Sequence, residues 1–258
     1  MIVHDVAFPT LVAFDLDDTL APSKSRVPQQ MAQVLRRLLD RAQVAVISGG
    51  NLEQFQKQVL AALGDAGVTD AELDRLHLLP TCGTRYHRHR DHAWHEVYAQ
   101  DLTADEKRAA THALTDEAKR LELWPASPWG EVIEDRGSQI TFSALGQQAP
   151  VEAKQQWDPT GERKDALRRA VQQRLPDLEV RAGGTTSVDI TRRGIDKAYG
   201  IKQLRDATGI GLDQMLFYGD KLHEDGNDYP VKTLGVRCIE VTGWPDTVAE
   251  LETLLDQA

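Results

Sequence analysis

The segment LVAFDLDDTLAPSK, residues 11–24, constrains the fold most, because an apolar run ends directly in three carboxylates. Four apolar residues followed by a polar cluster predict a buried strand that stops at its carboxyl end. Asp15, Asp17 and Asp18 then lie where a sheet meets solvent. Three neighbouring anions repel one another unless a cation or hydrogen-bond donors offset them. The cluster therefore indicates either a site for a hard metal ion such as Mg²⁺ or a solvated acidic turn.

Apolar runs typical of strands alternate with segments of helical spacing near both ends of the chain. This alternation predicts a parallel sheet. Ligands bind outside the carboxyl ends of such strands, so Asp15, Ser48 and Asp220 are expected to converge at one edge. The predicted strands cover 11–14, 44–47, 215–218 and 235–241, and helical spacing of apolar residues predicts helices over 28–42 and 52–63.

Residues 84–188 differ in character from the segments on either side, because tryptophans gather there and EVIEDRGSQITFSAL, residues 131–145, looks antiparallel. We expect an α/β fold with a Rossmann-like parallel-sheet core, residues 1–83 and 189–258, and an inserted α+β cap domain, residues 84–188. The elements predicted for the cap are a strand near Tyr86, a helix over 103–121, strands over 131–144, a helix over 162–174 and strands over 178–191.

Four histidines fall in RYHRHRDHAWH, residues 85–95. His87 and His89 would share one strand face, yet no carboxylate or thiolate completes a recognisable set of ligands for a transition metal. The segment is therefore interpreted as an exposed hairpin of the cap or an interface.

Charge and composition exclude several classes of protein. The 258 residues include 40 acidic and 30 basic side chains, a formal net charge of -10, which repels nucleic acid and anionic membranes. The N-terminal residues lack the pattern of a secretion signal and no apolar run is long enough to span a membrane, so a cytoplasmic protein is expected. Two distant cysteines indicate neither a disulfide framework nor a thiolate metal site.

Four short motifs occur in order at the predicted strand ends, and together they resemble the haloacid dehalogenase (HAD) superfamily of phosphotransferases. The resemblance is strongest to the phosphomannomutase group of subfamily IIB, whose cap is inserted after the second motif, and it covers nearly the whole chain. The motifs are DLDDT at 15–19, ISGG at 47–50, GIDK at 194–197 and GDKLHEDGND at 219–228, with further similarity in TCGTRY at 81–86 and GGTTSVD at 183–189.

This resemblance implies catalysis through a phosphorylated aspartate. Asp15 would be the nucleophile, and Asp17 would protonate the leaving oxygen and later deprotonate the next acceptor, which requires a pKa raised by its surroundings. Ser48 would hydrogen-bond a phosphate oxygen together with backbone N–H groups near Gly49. Lys197 would supply a fixed positive charge to the phosphoryl group.

The resemblance also implies a Mg²⁺ site built from oxygen ligands. Asp15 and Asp220 would each contribute a carboxylate, and Asp17 would contribute its backbone carbonyl. Asn227 and Asp228 complete the oxygen-rich segment, and which of the two contacts the ion directly is left open.

The cap carries the residues that would select the substrate, a small phosphorylated sugar. In the resembled mutases, arginines of the cap hold the distal phosphate, and a serine and an aspartate contact sugar hydroxyls. The matching positions here hold Arg136, Ser187 and Asp189. Positions of three further arginines hold Lys24, Gln147 and Lys154 instead.

Arginine binds phosphate bidentately, whereas lysine offers it only a point charge and glutamine offers no charge. The set of side chains that would hold the distal phosphate, here called the clamp, is therefore weakened. A mutase must retain a bisphosphate intermediate, but a phosphatase needs only to admit water. A phosphatase acting on a small sugar phosphate is therefore the first expectation, and a phosphomannomutase is the alternative. A sugar-phosphate sensor without turnover is third, and the resemblance further implies a homodimer formed through the cap.

Overall fold

The computed structural model describes residues 7–256 and separates into two compact units. The first unit comprises the described residues up to Ala99 and from Asp196, and the second is Gln100–Ile195. None of the helices within 7–256 is both long enough and apolar enough to cross a bilayer. The strands are β1 (Leu11–Phe14), β2 (Gln43–Ile47), β3 (Leu76–Leu79), β4 (Arg85–Arg90), β5 (Ala93–Ala99), β6 (Ile133–Asp135), β7 (Ile140–Ser143), β8 (Leu178–Ala182), β9 (Ser187–Arg192), β10 (Met215–Gly219) and β11 (Arg237–Glu240). The α-helices are α1 (Gln29–Leu39), α2 (Leu52–Phe55), α3 (Ala61–Asp65), α4 (Asp70–Leu73), α5 (Ala104–Arg120), α6 (Val151–Trp157), α7 (Glu162–Arg174), α8 (Lys197–Thr208), α9 (Tyr229–Thr233) and α10 (Trp244–Asp256), and a π-helical turn, Gln56–Leu60, joins α2 to α3.

The first unit is built on a seven-stranded sheet in the order β11-β10-β1-β2-β3-β4-β5. The five strands from β11 to β3 are parallel, and β4 and β5 complete the sheet as an antiparallel hairpin. The chain proceeds from β1 to β2 and β3 on one side and returns to β10 and β11 on the other, so the topological switch point lies between β1 and β10. This arrangement confirms the predicted α/β class with a Rossmann-like parallel sheet.

Strands β1 and β10 are apolar throughout because helices cover both faces of the sheet. Phe14 and Tyr218 stack at 5.2 Å between ring centres on the face that packs against Leu35 of α1 and Leu251 of α10. On the opposite face, Phe217 belongs to the apolar cluster that includes residues of α8. Burial on both faces fixes the two strands, and with them the residues that follow their carboxyl ends.

The expected domain boundaries require correction at both junctions. Residues 84–99, including the predicted cap strand near Tyr86, form β4 and β5 of the first unit, because β4 pairs with β3. His87 and His89 are consequently buried in this sheet and are not part of an exposed cap hairpin. Residues 189–195 stay with the second unit, because β9 pairs with both β7 and β8.

The second unit is a four-stranded antiparallel sheet in the order β6-β7-β9-β8, with α5 and α7 contributing to the same apolar core as its strands. Side chains alternate between the two faces of a strand, so the sheet has one apolar and one polar face. The strand residues of the core include Ile140, Phe142, Val188 and Ile190. The alternate positions of β7 and β9 hold Thr141, Ser143, Ser187 and Asp189.

His77 is a fully buried polar residue in the otherwise apolar strand β3. Its Nε2 atom donates to Gln43 Oε1 at 2.6 Å, because an amide oxygen can only accept, and its Nδ1 atom accepts from the Tyr86 hydroxyl at 2.6 Å. This pattern suits a neutral ring. Burial, with a smaller contribution from the charges of Arg88 and Arg90, lowers the pKa of His77 to about 3.

The lowered pKa of His77 makes stability depend on pH in a specific window. Between pH 6.5 and 3 the unfolded chain binds a proton at this residue and the folded chain does not, so stability falls as pH decreases through that range. At pH 5 the loss amounts to roughly 2 kcal/mol. We expect His77→Gln to remove this increment from the difference between urea unfolding free energies at pH 7 and pH 5. His223→Gln, at an exposed histidine of the same unit, should keep it, and equal differences in the two variants would contradict the assignment.

Candidate active site

Asp15 and Asp220 meet because they follow neighbouring parallel strands. Asp15 comes directly after β1, and its N–H donates to the carbonyl of Tyr218 in β10 at 3.0 Å. Asp220 comes directly after β10. A Cβ atom on Gly219, the last residue of β10, would lie 2.5 Å from Asp228 Oδ2, so only glycine at this position lets the Asp228 carboxylate approach the strand.

Lys197 lies between two of these carboxylates. Its Nζ atom is 2.6 Å from Asp15 Oδ1 and 2.5 Å from Asp228 Oδ1, and all three side chains are almost completely buried. Lys197 is the first residue of α8, and the preceding Asp196 caps that helix by accepting from the N–H of Tyr199. This hydrogen bond from Tyr199 to Asp196 fixes the first residue of α8, and therefore the backbone position of Lys197.

A close approach between two glycines places α8 against the end of the sheet. A Cβ atom on Gly83, which has a φ of 81°, would overlap the Cα atom of Gly200 in α8. The missing side chains let the first turn of the helix rest against the turn that follows β3. Glycine at both positions therefore helps to hold Lys197 beside Asp15.

Burial and charge act in opposite directions on the two groups. Burial raises the pKa of Asp15 and the nearby Asp228 raises it further, whereas the ammonium of Lys197 lowers it, and the net pKa stays above the ordinary range of a carboxyl group. Burial by itself would lower the pKa of Lys197, but the two carboxylates outweigh it and raise the pKa. The lysine is therefore charged, and the site holds negative charge that it neutralises incompletely.

Three carboxylates form a cluster suited to a hard divalent cation. Asp15, Asp220 and Asp228 each offer one oxygen atom, and these atoms all lie within 4.8 Å of one another. Asp220 Oδ1 is buried and has no hydrogen-bond partner in the described part of the chain, which leaves an acceptor aimed at no donor. An all-oxygen set with an unused buried acceptor fits the ligand preference of Mg²⁺. The predicted ligand Asn227 is exposed, and the side chain of Asp17 is not part of this cluster.

The loop after β1 is closed by its own aspartates. Asp17 Oδ1 accepts from the N–H of Lys24 at 2.6 Å, and Asp18 Oδ1 accepts from the N–H of Ser23 at 3.1 Å. Burial raises the pKa of Asp17, although the hydrogen bond from Lys24 opposes the change. A carboxyl group with a raised pKa in this position has the property required of a general acid and base.

Ser48 directly follows β2 as Asp15 directly follows β1, so both lie at the carboxyl edge of the same sheet. The hydroxyl of Ser48 is buried and accepts from the N–H of Gly50 at 3.2 Å. A Cβ atom on Gly49 would meet nothing within 4 Å, which leaves open space beside this turn. Because the residues after β2 are small, backbone N–H groups at this strand end are accessible.

The predicted sugar-binding residues belong to the second unit. Arg136 pairs with Glu134 at 2.8 Å, and Lys154, which is buried in α6, donates to the carbonyl of Gln147 at 2.9 Å. Asp189 and Ser187 are two residues apart in β9 and therefore share the polar face of the sheet. Lys24, the remaining predicted substrate residue, lies in the first unit.

Three contributors to these sites escaped the analysis of the sequence. Asp196 could have been found, because an aspartate directly before the first helical residue is a common cap. Lys221 lies 3.2 Å from Asp220 Oδ2, and its position next to Asp220 in GDK was the available signal. Thr141 donates to Asp189 Oδ1 at 2.7 Å, and only the register of β7 against β9 reveals that contact.

Comparison with known proteins assigns the family. The sequence model described as eukaryotic phosphomannomutase matches residues 31–257. The chain belongs to this family. The phosphomannomutase of Schizosaccharomyces pombe is 25% identical over 264 residues, covering 98% of each protein. That of Arabidopsis thaliana is 24% identical over 260 residues, covering 95% of this phosphomannomutase-family chain and 97% of its own length.

Solved structures agree on the fold of this family member. A haloacid dehalogenase-like hydrolase from Bacteroides thetaiotaomicron superposes with a TM-score of 0.63 at 12% identity, covering 95% of this chain and 99% of its own. The IMP-nucleotidase of Plasmodium falciparum superposes with a TM-score of 0.73 at 15% identity, covering 96% of this chain and 69% of its own. The predicted membership of the HAD superfamily is confirmed, and the chain is an enzyme of the phosphatase or phosphomannomutase kind.

The buried triad of Asp15, Lys197 and Asp228 generates a prediction about stability. Lys197→Met removes the shared cation and leaves two carboxylates buried without it, which should cost about 3–5 kcal/mol of unfolding free energy in metal-free buffer. Lys57→Met, which breaks an exposed pair with Glu53, should change stability little. Urea unfolding at pH 7 measures both variants. Equal effects would show that Lys197 does not hold the two carboxylates together.

Proposed function

We propose that this protein is a Mg²⁺-dependent phosphomannomutase that interconverts mannose 1-phosphate and mannose 6-phosphate. The observation that carries the proposal is the match to the phosphomannomutase family over residues 31–257, supported by relatives of that name aligned along almost their whole length. This reverses the order expected from the weakened arginine clamp, which placed a phosphatase first. The weakened clamp concerns only three positions, Lys24, Gln147 and Lys154, whereas the similarity extends over almost the whole chain.

The phosphoryl group is transferred to and from Asp15 in this proposal. One carboxylate oxygen attacks phosphorus in line with the leaving sugar oxygen, and Asp17 gives that oxygen a proton. In this step a hexose bisphosphate phosphorylates Asp15 and leaves as a monophosphate. Asp17 then takes a proton from the free hydroxyl of a bound mannose 1-phosphate, and that hydroxyl attacks the phosphorus of the phosphorylated Asp15 and regenerates the bisphosphate. After the bisphosphate has turned over in the site, the first step repeats at its other phosphate and mannose 6-phosphate leaves. Lys197 holds a positive charge beside the nucleophile, and Ser48 with the N–H groups near Gly49 binds phosphate oxygens.

Mg²⁺ is the cofactor that the cluster would hold, through Asp15, Asp220 and Asp228, with the carbonyl of Asp17 and the side chain of Asn227 as further candidates. When bound, the ion would neutralise charge on the phosphoryl oxygens. The residues themselves position the nucleophile, because Lys197 fixes one oxygen of Asp15 and thereby orients the other.

The second unit would recognise the sugar and its distal phosphate. Within this unit, Arg136 and Lys154 are proposed to bind phosphate, and Ser187 and Asp189 to bind sugar hydroxyls. Lys24, of the first unit, is a separate candidate for phosphate binding. Thr141 positions Asp189 by donating to one of its carboxylate oxygens. Association into a homodimer through this unit stays a prediction.

A phosphatase acting on the same class of sugar phosphate is the second candidate. The observation that favours it is the chemistry of the positions where the resembled mutases have arginine. The ammonium of Lys154 is directed to the carbonyl of Gln147, so part of its hydrogen-bonding capacity is used inside the protein. A weakly held bisphosphate would leave before it turned over, and water would then accept the phosphoryl group.

Product analysis separates the two candidates. The purified chain is incubated with mannose 1-phosphate, Mg²⁺ and a trace of hexose bisphosphate, and mannose 6-phosphate and inorganic phosphate are measured in parallel. We expect mannose 6-phosphate to form at least about tenfold faster than phosphate is released, because retention of the intermediate favours transfer over hydrolysis. Phosphate release that equals or exceeds isomerisation would establish the phosphatase and reject the proposed function.

The role of Asp15 has its own test. Asp15→Asn removes the nucleophilic oxygen and should lower turnover by at least about a thousandfold. Asp18→Asn is the matched control, because Asp18 lies in the same loop with a φ of 61°, which asparagine tolerates, and its Oδ1 acceptor is retained. The control should keep activity within a few-fold. Undiminished turnover in Asp15→Asn would refute the assigned nucleophile, and a sugar-phosphate sensor would bind ligand in both variants without turnover in either.

A further inference from the structure

The second unit contains a cavity of about 370 Å³ where α5 ends and α7 begins. The segment after β7 and the last residue of α6 complete its wall. The predicted sugar-binding residues Arg136, Lys154, Ser187 and Asp189 take no part in the lining. The cavity is therefore a separate feature of this unit, which the proposed phosphomannomutase reaction leaves without a role.

Most side chains that line the cavity are apolar and two are aromatic, although polar atoms supply the larger share of its accessible surface. Two indole rings, Trp124 and Trp157, line it together with leucine, proline and alanine side chains. The only charged side chains in the lining are Glu122 and Arg163, and both are exposed. A flat apolar ring in the cavity gains from burial against the indole faces. The volume lies within the range of small-molecule sites.

Positive charge is available at this cavity. Arg163 forms no ion pair with any residue of 7–256, and its guanidinium reaches only the carbonyl of Trp157 at 3.4 Å. By contrast, Arg168 and Arg169 of the same helix both pair with Asp165.

Lys119 adds a second cation near the aromatic wall. Its Nζ atom lies 5.5 Å from the ring centre of Trp124, and it too forms no ion pair within the described chain. Arg163 in the lining and Lys119 over Trp124 are thus two cations near the rings, while Glu122 in the lining and Asp158, which accepts from the N–H of Arg163, are the acidic groups. The guanidinium of Arg163, which has no carboxylate partner among residues 7–256, is the group that favours an anionic occupant.

We propose that this cavity binds a small molecule with a flat aromatic ring and a single anionic group. The ring lies against Trp124 and Trp157, and the anion pairs with the guanidinium of Arg163. Ring burial supplies the apolar contribution to affinity, and the charged pair sets the orientation. The site differs from the sugar-phosphate site in position and in chemistry.

Naphthalene sulfonate serves as the probe, and neutral naphthalene sulfonamide serves as its uncharged match. Titration of the full chain with each, followed by tryptophan fluorescence and calorimetry, gives two dissociation constants per variant. We expect Arg163→Met to weaken sulfonate binding about tenfold and to leave sulfonamide binding unchanged. Arg169→Met, an exposed arginine of the same helix, should leave both constants unchanged. Arg163 is exposed, and within the part of the chain that the structure describes its guanidinium makes only one long hydrogen bond, to the carbonyl of Trp157 at 3.4 Å, so the variant is expected to fold.

Three outcomes would overturn the proposal. The first is equal affinity of the sulfonate for the wild-type chain and Arg163→Met. The second is equal loss of sulfonate affinity in Arg163→Met and Arg169→Met, which would reflect net charge alone. The third is displacement of the sulfonate by mannose 6-phosphate, which would place the probe in the sugar-phosphate site. Because the probe experiments need no turnover, their result is independent of whether the chain is a mutase or a phosphatase.

Discussion

The ammonium of Lys197 between the carboxylates of Asp15 and Asp228 is the interaction on which the candidate active site depends. Three charged groups are buried together, and a charge in such a place is tolerated only when partners compensate it. Each partner comes from a different part of the chain: the end of β1, the start of α8 and the loop after β10. The ion pairs can form only when these three segments are packed in their native positions, so the chemistry of the site and the fold of the first unit are inseparable.

The parallel sheet explains why those segments meet. Strands β1 and β10 lie at the switch point, and their apolar residues are buried on both faces, so neither strand can shift without exposing its core contacts. Small residues then decide how closely other groups approach. Because Gly219 has no side chain, the carboxylate of Asp228 can approach β10. Because Gly83 and Gly200 have none, the first turn of α8 can pack against the turn after β3. Rigid strands and close glycine contacts together hold charged groups that would otherwise separate into water.

The convergence of Asp15, Ser48 and Asp220 could be predicted from the sequence, because apolar runs that end in polar residues mark the strand ends of a parallel sheet. The location of the β4–β5 hairpin could not. RYHRHR has almost no apolar residues, and its burial depends on pairing with β3 and on contacts such as the hydrogen bond from the Tyr86 hydroxyl to His77. The sequence could not decide between a phosphatase and a mutase for a related reason, because it shows the charge at three positions without the rest of the proposed substrate surface.

The balance of charge at the sheet edge indicates how a phosphate could be attracted to an acidic protein. Asp15, Asp220 and Asp228 are opposed by two ammonium groups, Lys197 and Lys221, so the cluster carries one net negative charge when the carboxylates are ionised. A divalent cation reverses this sign, and the site then favours an anion, although the chain as a whole has a formal charge of -10. The two lysines cannot replace the ion, because with both of them charged the cluster still has a net negative charge. In the proposed reaction, attraction of the phosphoryl group would therefore depend on metal binding, while the buried Lys197 holds the Asp15 carboxylate in either state.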